Sequence, residues 1–203
     1  MEKGALLPLF YLPPIEFFSQ LLKHKDHLLI ERFEHFPKQT YRNRASIHSP
    51  NDKLDLIIPV VKGANLHSTI KDVKISYDFK WQRQHLMSLQ TAYRSSAYFE
   101  FYEDSFIPFY QKKWQFLFDY NHELLYLILK SLKIDATFSF TAEYFKTLEG
   151  YTDFRGSIHP KQSSSIPVKP YFQVFEDRNG FIENLSIIDL LFNQGPQSIS
   201  YLI

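Results

Sequence analysis

The chain has 203 residues, a net charge of +1 with histidine counted as neutral, and no cysteine. This length fits one domain, and the near-zero charge argues against bulk nucleic-acid binding because no basic field covers the molecule. The lack of cysteine excludes disulfide bonds, cysteine-ligated metal sites and a thiol nucleophile.

The N-terminal segment lacks the basic stretch and uninterrupted apolar run of a secretory signal. The apolar runs elsewhere fall far short of the ~20 residues that span a bilayer. The sequence therefore predicts a soluble, cytoplasmic protein with no membrane span.

The opening of the chain alternates strand and helix signals. Residues 5–11 form a short apolar run that predicts a strand, and Pro14 precedes an amphipathic helix over residues 15–23. Residues 28–33 are predicted as a second strand. A strand, a helix and a second strand in succession indicate a βαβ-like unit.

A polar segment, residues 38–48, concentrates cations, amides and hydroxyls. Its second part, residues 44–48, alternates polar and apolar side chains as a half-buried strand does. Residues 49–52 have the composition of a type I turn, with proline at the second position. Residues 54–61 then predict the partner strand of a hairpin.

Three helices are predicted in the middle of the chain. Trp81 opens the first, whose apolar residues recur every four positions. Asp104 or Ser105 is predicted to cap the second helix, and Asn121 the third. Residues 134–141 follow as a strand with alternate side chains on opposite faces.

The C-terminal part contains the least regular segment, residues 146–170, and a loop of this length in a compact domain is typically functional or mobile. A strand over residues 171–175 is predicted next, followed by a helix that starts at Asn184 or Ser186 and ends at Gly195. Together the elements predict an α/β fold: a single domain with a mixed β-sheet and a helical layer.

Three cations in the polar segment are candidates for phosphate binding. Lys38, Arg42 and Arg44 recur at even spacing, so an extended backbone would place all three on one face. Tyr41 and Asn43 would fall on the other face. Such a face can clamp a phosphate, which arginine binds with two parallel hydrogen bonds. The charges alone favour the alternative of a solvated edge strand whose cations discourage further pairing.

One histidine and one ion pair are candidates for chemistry. His85 lies four residues after Trp81, and its ordinary pKa near neutrality suits a general acid or base. Local spacing supplies no carboxylate partner, and a lone histidine beside tryptophan is more often a packed residue. In the irregular segment, Asp153 and Arg155 could pair with each other, or face a ligand if the loop folds over one.

An aromatic cluster lies at the end of the first of the three helices. Its rings could stack on a base or a sugar, or they could bury area in the core, which we weigh as the stronger interpretation. Its members are Tyr93, Tyr98, Phe99, Phe101 and Tyr102.

Several common motifs are absent from the sequence. There is no Gly-x-Gly-x-x-Gly and no Walker A loop, and there is no His-Glu-x-x-His and no Gly-x-Ser-x-Gly. The eight histidines show no tight ligand spacing. The sequence therefore predicts no metal site and leaves any cofactor open.

Several segments, taken in order, resemble the WbqC-like protein family. They are Tyr41-Arg42-Asn43-Arg44, Ile57-Ile58-Pro59-Val60, Ile70-Lys71-Asp72-Val73, Trp81-x-x-x-His85, Ala92-Tyr93-x-x-x-x-Tyr98-Phe99 and Leu185-Ser186-Ile187-Ile188-Asp189-Leu190-Leu191-Phe192-Asn193-x-Gly195. The resemblance covers nearly the whole chain and implies one WbqC-like domain over residues 1–203. Members typically carry a Gln-Pro-Tyr-like segment after the first strand. Here that region is Leu9-Phe10-Tyr11-Leu12-Pro13-Pro14, and the missing glutamine bears on substrate or activity if it takes part in the chemistry.

The family is named for a member in O-antigen gene clusters, so the resemblance implies a transferase-like enzyme of nucleotide-sugar or surface-polysaccharide biosynthesis. On this hypothesis Arg42 and Arg44 hold phosphate, and Asn43 orients a sugar hydroxyl. His85 is the expected acid or base, with Asp153 as its carboxylate partner. The expected ligand-binding residues are Lys38, Tyr41, Arg42, Asn43, Arg44, Trp81, Tyr93, Tyr98, Phe99 and Arg155.

Two other functions stay open. The chain could be a non-catalytic binding or assembly module that partners a polysaccharide-biosynthesis enzyme through its aromatic surface. The strip of arginines and aromatic residues could bind RNA or a single strand, although the near-zero net charge counts against it. The expected partner is a small-molecule ligand such as a nucleotide-sugar, and neither a cofactor nor an oligomeric state is predicted.

Overall fold

The computed structural model describes residues 4–61 and 68–202. Its strands are β1 (Gly4–Leu7), β2 (Leu28–Ile30), β3 (Arg44–Ser49), β4 (Asp52–Ile57), β5 (Phe138–Phe140) and β6 (Tyr151–Asp153). Its α-helices are α1 (Ile15–Lys23), α2 (Trp81–Tyr93), α3 (Phe99–Gln111), α4 (Leu117–Ser131), α5 (Glu176–Asn179) and α6 (Ile187–Gln194). Two 3-10 helices span Ile70–Asp72 and Gly195–Tyr201.

A four-stranded parallel sheet with the order β5-β2-β1-β6 forms the centre of the fold. Ala5 of the central strand β1 faces Leu28 on one side and Thr152 on the other. All four residues of β1 are buried, as expected of a parallel strand covered on both faces. The β1–α1–β2 unit confirms the βαβ-like opening that the sequence predicts, with strands shorter than predicted.

A separate antiparallel hairpin joins β3 to β4 through the predicted turn, with Arg44 opposite Ile57 and Ser49 opposite Asp52. Strand β3 is largely buried, whereas β4 is exposed apart from Leu56. The predicted α/β fold with strands of both directions is confirmed. The parallel strands form one sheet and the antiparallel strands form another, within one domain.

The helical layer is centred on Phe192 of α6, which is fully buried. Aromatic rings from α2 and α3 surround it at centroid distances of 5.2–6.4 Å, the range in which ring pairs attract one another. These rings belong to Tyr93, Phe99, Tyr102 and Phe106. The aromatic cluster of the sequence is therefore mainly core.

Two predicted helix caps are wrong. Helix α3 already begins at Phe99, so Asp104 and Ser105 lie inside it. Helix α4 begins at Leu117, and Asn121 lies in its interior, where its Nδ2 donates to the carbonyl of Arg42 at 2.7 Å. Both helices start without a side-chain cap, because buried aromatic and apolar residues in the first turn supply the stabilisation instead.

The end of the chain corrects two further predictions. The irregular segment contains β6, which extends the parallel sheet, whereas residues 171–175 are not a strand. Helix α6 ends at Gly195 as predicted, with φ +53°. No helix in residues 4–61 and 68–202 is long and apolar enough to cross a membrane.

Candidate functional site

His85 lies in the core, with 5% of its surface exposed. Its Nδ1 is hydrogen-bonded to the hydroxyl of Tyr11 at 3.0 Å, and the ring of Trp81 packs edge-on at 5.1 Å. Burial lowers the pKa of His85 to about 4, although a hydrogen bond with the backbone of Ile57 raises it. The imidazole is therefore neutral at pH 7 and serves packing.

Asp153 binds Arg155 and not His85, so the predicted acid–base pair is not formed. The Arg155 guanidinium donates to both Asp153 oxygens, the shortest bond being 2.6 Å from Nη2 to Oδ2. Its Nη1 donates to Oε2 of the fully buried Glu31 at 2.9 Å. Arg155 thus ties the end of β6 to the end of β2.

Arg42 points into the interior, where its exposed fraction is 1%. Its Nε and Nη2 donate to the two carboxylate oxygens of Glu34 at 2.6 and 2.7 Å, and Nη2 also reaches the carbonyl of Arg155 at 3.0 Å. Burial raises the pKa of Glu34 while Arg42 opposes this shift. The cation is therefore committed to a structural pair.

The predicted phosphate clamp of three cations on one strand face is wrong. Residues 38–43 are turns, and Gln39 has φ +59°, so the backbone is not extended. Lys38 is exposed, whereas Arg44 pairs at the surface with Asp55 at 3.2 Å. Asn43 donates its Nδ2 to the carbonyl of Ile58 at 2.8 Å, which fixes the end of the hairpin.

The predicted stacking surface is also buried. Trp81, Tyr93 and Phe99 are each no more than 2% exposed, so a ligand cannot stack on them in this structure. The Tyr93 hydroxyl donates to the buried carboxylate of Asp189 at 2.8 Å. The ring of Tyr98 lies against Gly195, where an added Cβ would come within 2.5 Å of it.

The charged network of Glu31 and Arg155 lies at the carboxyl ends of the parallel strands. Strand β1 connects through α1 to β2 on one side, and β6 lies on its other side. In open α/β sheets ligands bind beside this point, outside the carboxyl ends of the strands. The chain after β6 leads from Arg155 directly into the wall of a polar pocket.

This polar pocket has a volume of about 350 Å³. The hairpin side contributes Tyr41, Ser46 and Lys53, and the opposite walls come from residues 160, 162–164 and 181–185, which include the acidic side chain of Glu183. The ring of Tyr41 packs on Phe10, just after β1, at 5.7 Å. Of the sequence-predicted residues, Tyr41 is the one that lines the pocket, with Arg44 beside it.

Two carboxylates lie behind the pocket and orient its polar groups. Ser46 Oγ donates to Asp55 Oδ1 at 2.6 Å. Asn184 accepts the backbone N–H of Glu16 at 2.9 Å and donates to Glu16 Oε2 at 3.2 Å. Glu16 also accepts the backbone N–H of Ser165 at 2.8 Å. Asn184 therefore binds the first turn of helix α1, and Ser186, the other predicted start of α6, is the residue that directly precedes that helix.

Burial raises the pKa of Tyr41 to about 12, and the charges of Asp55 and Glu16 contribute to this shift. The phenol therefore stays protonated and remains a hydrogen-bond donor throughout the neutral range. Close by, the pKa of His159 is lowered, first by burial and then by the cations of Lys161, Arg42 and Arg44. Charges of both signs therefore surround the pocket.

Sequence reasoning missed most of this pocket. Ser46, Asp55 and Asn184 are ordinary strand and loop residues in the sequence, and their convergence depends on the fold. The irregular segment was the available signal, because a long loop in a compact domain is typically functional, and residues 160 and 162–164 of that segment line the pocket. Among the residues described, no group of three or more His, Cys, Asp or Glu side chains is placed to hold a metal ion.

The fold and the pocket define a class: a single-domain α/β protein with a parallel sheet, a side hairpin, and a small polar pocket between that hairpin and two loop segments. The chain belongs to the WbqC-like protein family, whose model matches residues 10–159. It is 24% identical over 229 aligned residues to the uncharacterized protein Rv1507c of Mycobacterium tuberculosis (strain ATCC 25618 / H37Rv), an alignment that covers 100% of this chain and 98% of the relative. No solved structure matches the chain.

Proposed function

We propose that the protein is a transferase-like enzyme of nucleotide-sugar or surface-polysaccharide biosynthesis, and that its polar pocket holds the sugar. The observation that carries this proposal is the concentration of hydroxyl and amide groups in one pocket beside the aromatic ring of Tyr41. Hydroxyl and amide groups match the hydroxyls of a sugar, and a ring packs against its apolar face.

The volume of the pocket indicates which part of a nucleotide-sugar it accepts. Ligand pockets in proteins range from about 300 to 1,000 Å³, and 350 Å³ lies at the small end. One sugar ring suits this volume, while the nucleotide lies outside. Lys53 at the pocket then faces the diphosphate, for which lysine acts as a point charge.

The Ser46–Asp55 pair replaces His85 as the acid–base candidate. The Ser46 hydroxyl lines the pocket and donates to the Asp55 carboxylate at 2.6 Å. A single hydroxyl group, that of Ser46, lies between the pocket and the Asp55 carboxylate. The carboxylate can therefore accept a proton from an attacking group by way of that hydroxyl. The proposal therefore places the chemistry at the hairpin.

Thermal unfolding with a panel of nucleotide-sugars, nucleotides and free sugars tests this function. A ligand at 100 times its Kd adds ~2.7 kcal/mol to stability, and for this chain length each kcal/mol moves the midpoint by roughly 2–4 °C. We expect a shift with one nucleotide-sugar that Ser46→Ala and Lys53→Ala reduce and Lys130→Ala on α4 leaves unchanged. If no compound shifts the cooperative transition, or if Lys130→Ala reduces the shift equally, the assignment is wrong.

A second candidate function is a non-catalytic assembly module for a polysaccharide-biosynthesis enzyme. The observation that favours it is the placement of His85 in the core, where its hydrogen bonds within the described part of the chain join it to Tyr11 and to the backbone of Ile57 rather than to a carboxylate. Exposed aromatic residues, Phe79 at 72% and Phe101 at 77%, offer contact area. Co-purification with such an enzyme that Phe101→Ser abolishes, together with no nucleotide-sugar shift, would favour this function over catalysis.

A further inference from the structure

A second cavity lies between helix α1, residues 166–170 and the C-terminal residues 201–202. It has a volume of about 790 Å³, within the range of small-molecule sites. Helix α1 contributes Leu22, and the segment of residues 166–170 contributes Val168 and two prolines. Tyr201 and Leu202 also line it. We call this cavity the apolar groove.

The charged residues of the apolar groove are all cations. Lys23, Lys25 and Lys169 line it, and no acidic side chain does so among the residues that the structure describes. Lys23 and Lys25 are exposed at the end of α1. Lys169 Nζ donates to the carbonyl of Ser200 at 2.9 Å, which holds its ammonium group beside the groove. Charge and shape therefore select an apolar ligand with an anionic end.

We propose that the apolar groove binds a single aliphatic chain that carries a phosphate. The chain lies along Leu22, Val168 and Leu202, because burial of its methylenes against apolar walls is favourable. The phosphate meets the lysines, which bind it as point charges without the planar geometry that arginine requires. A doubly charged head group matches the exposed cations of Lys23 and Lys25 better than a single charge does.

The concave shape argues for a single lipid rather than a membrane surface. A helix that binds a bilayer lies in the interface with its apolar face outward, whereas these apolar residues line a cavity between α1 and residues 166–170. The groove does not share lining residues with the polar pocket. Its ligand is therefore tested separately from the nucleotide-sugar, and failure of one assignment leaves the other in place.

Calorimetric titration with dodecyl phosphate below its critical micelle concentration tests the proposal. We expect saturable binding at one molecule per chain, and at least tenfold weaker binding of dodecyl maltoside, whose head group is neutral. The Lys23→Glu, Lys25→Glu double variant is expected to weaken dodecyl phosphate binding at least tenfold. The Lys130→Glu, Lys133→Glu double variant, which makes the same charge change at the end of α4, is expected to leave it unchanged. Val168→Asp places a charge in the wall and should also weaken binding.

Three results would overturn the proposal. The first is the absence of saturable binding by the unmodified, cooperatively folded protein. The second is an equal loss of affinity in the two double variants, which would make the effect one of overall charge. The third is binding to vesicles of anionic phospholipid without binding of monomeric dodecyl phosphate, which would assign the lysines to a membrane surface.

Discussion

The guanidinium of Arg42 donates two hydrogen bonds to the carboxylate of Glu34, one from Nε to Oε1 at 2.6 Å and one from Nη2 to Oε2 at 2.7 Å. Both residues are buried, Arg42 at 1% exposure and Glu34 at 7%. The pair fastens the turn before the hairpin to the segment that follows β2. The pair commits Arg42 to Glu34, whereas the sequence-based hypothesis gives Arg42 to a ligand phosphate.

Replacement of Arg42 by alanine is expected to lower the free energy of unfolding by ~3–5 kcal/mol, because it leaves the Glu34 carboxylate buried without its cation. Arg44→Ala is the matched control. Arg44 pairs with Asp55 at the surface, with side-chain exposures of 23% and 35%, so its loss should cost only ~0–1 kcal/mol. Urea unfolding of both variants makes the comparison. An Arg42→Ala protein of unchanged stability would contradict the structural role.

The buried His85 is expected to make stability depend on pH. Because its folded pKa of about 4 lies below the usual 6.5, the unfolded chain binds the proton more tightly than the folded one. Stability is therefore lost as pH falls from 6.5 towards 4, by at most ~3 kcal/mol. Urea unfolding at pH 7 and pH 4.5 should show a smaller loss for His85→Gln than for the unmodified protein. The exposed His27→Gln control should follow the unmodified protein, and a His85→Gln loss as large as that of the control would contradict the assignment.

Gly195 is expected to be a position that accepts no side chain. Its φ of +53° is one that other residues adopt at a cost of about 1–2 kcal/mol, and a Cβ would lie 2.5 Å from the ring of Tyr98. Gly195→Ala should therefore lower the thermal midpoint by several degrees. At Gly156 an added Cβ has no atom within 4 Å, and the backbone does not have the positive φ that disfavours alanine. Gly156→Ala should therefore be neutral or slightly stabilising. Equal midpoints for the two variants would contradict this account.

Local patterns predicted the elements whose formation depends on local sequence. The β1–α1–β2 unit, the β3–β4 hairpin and the end of α6 at Gly195 follow from apolar periodicity and turn residues. Whether a polar residue faces the core depends instead on a distant partner. Arg42 turns inward because Glu34 is there, and a pattern of charges along the chain cannot show this.

The polar pocket was beyond sequence reasoning for the same reason. Tyr41, Ser46 and Asn184 meet because helix α6, the hairpin and the loop after β6 pack together, and these elements lie far apart in the chain. For His85 the error is the opposite one, because the sequence predicts a site residue where the structure has a core residue. A histidine at a helix start suits catalysis by its chemistry, but the side chains of Tyr11 and Trp81, one of them distant in sequence, enclose it.

Glu16 of α1 is expected to hold the wall that separates the polar pocket from the apolar groove. Residues 162–164 line the pocket and residues 166–170 line the groove, while Ser165 between them donates both its N–H and its hydroxyl to Glu16. Glu16→Ala leaves these donors and the Asn184 amide without their acceptor, which costs ~1–3 kcal/mol for each group that stays buried. The loss should appear first as local opening of residues 162–170, because loops with few backbone partners open at low free energy.

Hydrogen exchange followed by mass spectrometry measures this opening directly. Peptides that cover residues 162–170 should exchange faster in Glu16→Ala, while peptides from α4 keep their protection. Glu103→Ala is the control, because Glu103 accepts a single side-chain bond from Gln90 at 2.7 Å on the far helical layer and touches neither cavity. Unchanged exchange of residues 162–170 in Glu16→Ala would show that another contact holds the wall. Faster exchange confined to that segment would show that Glu16 holds the wall between the two cavities.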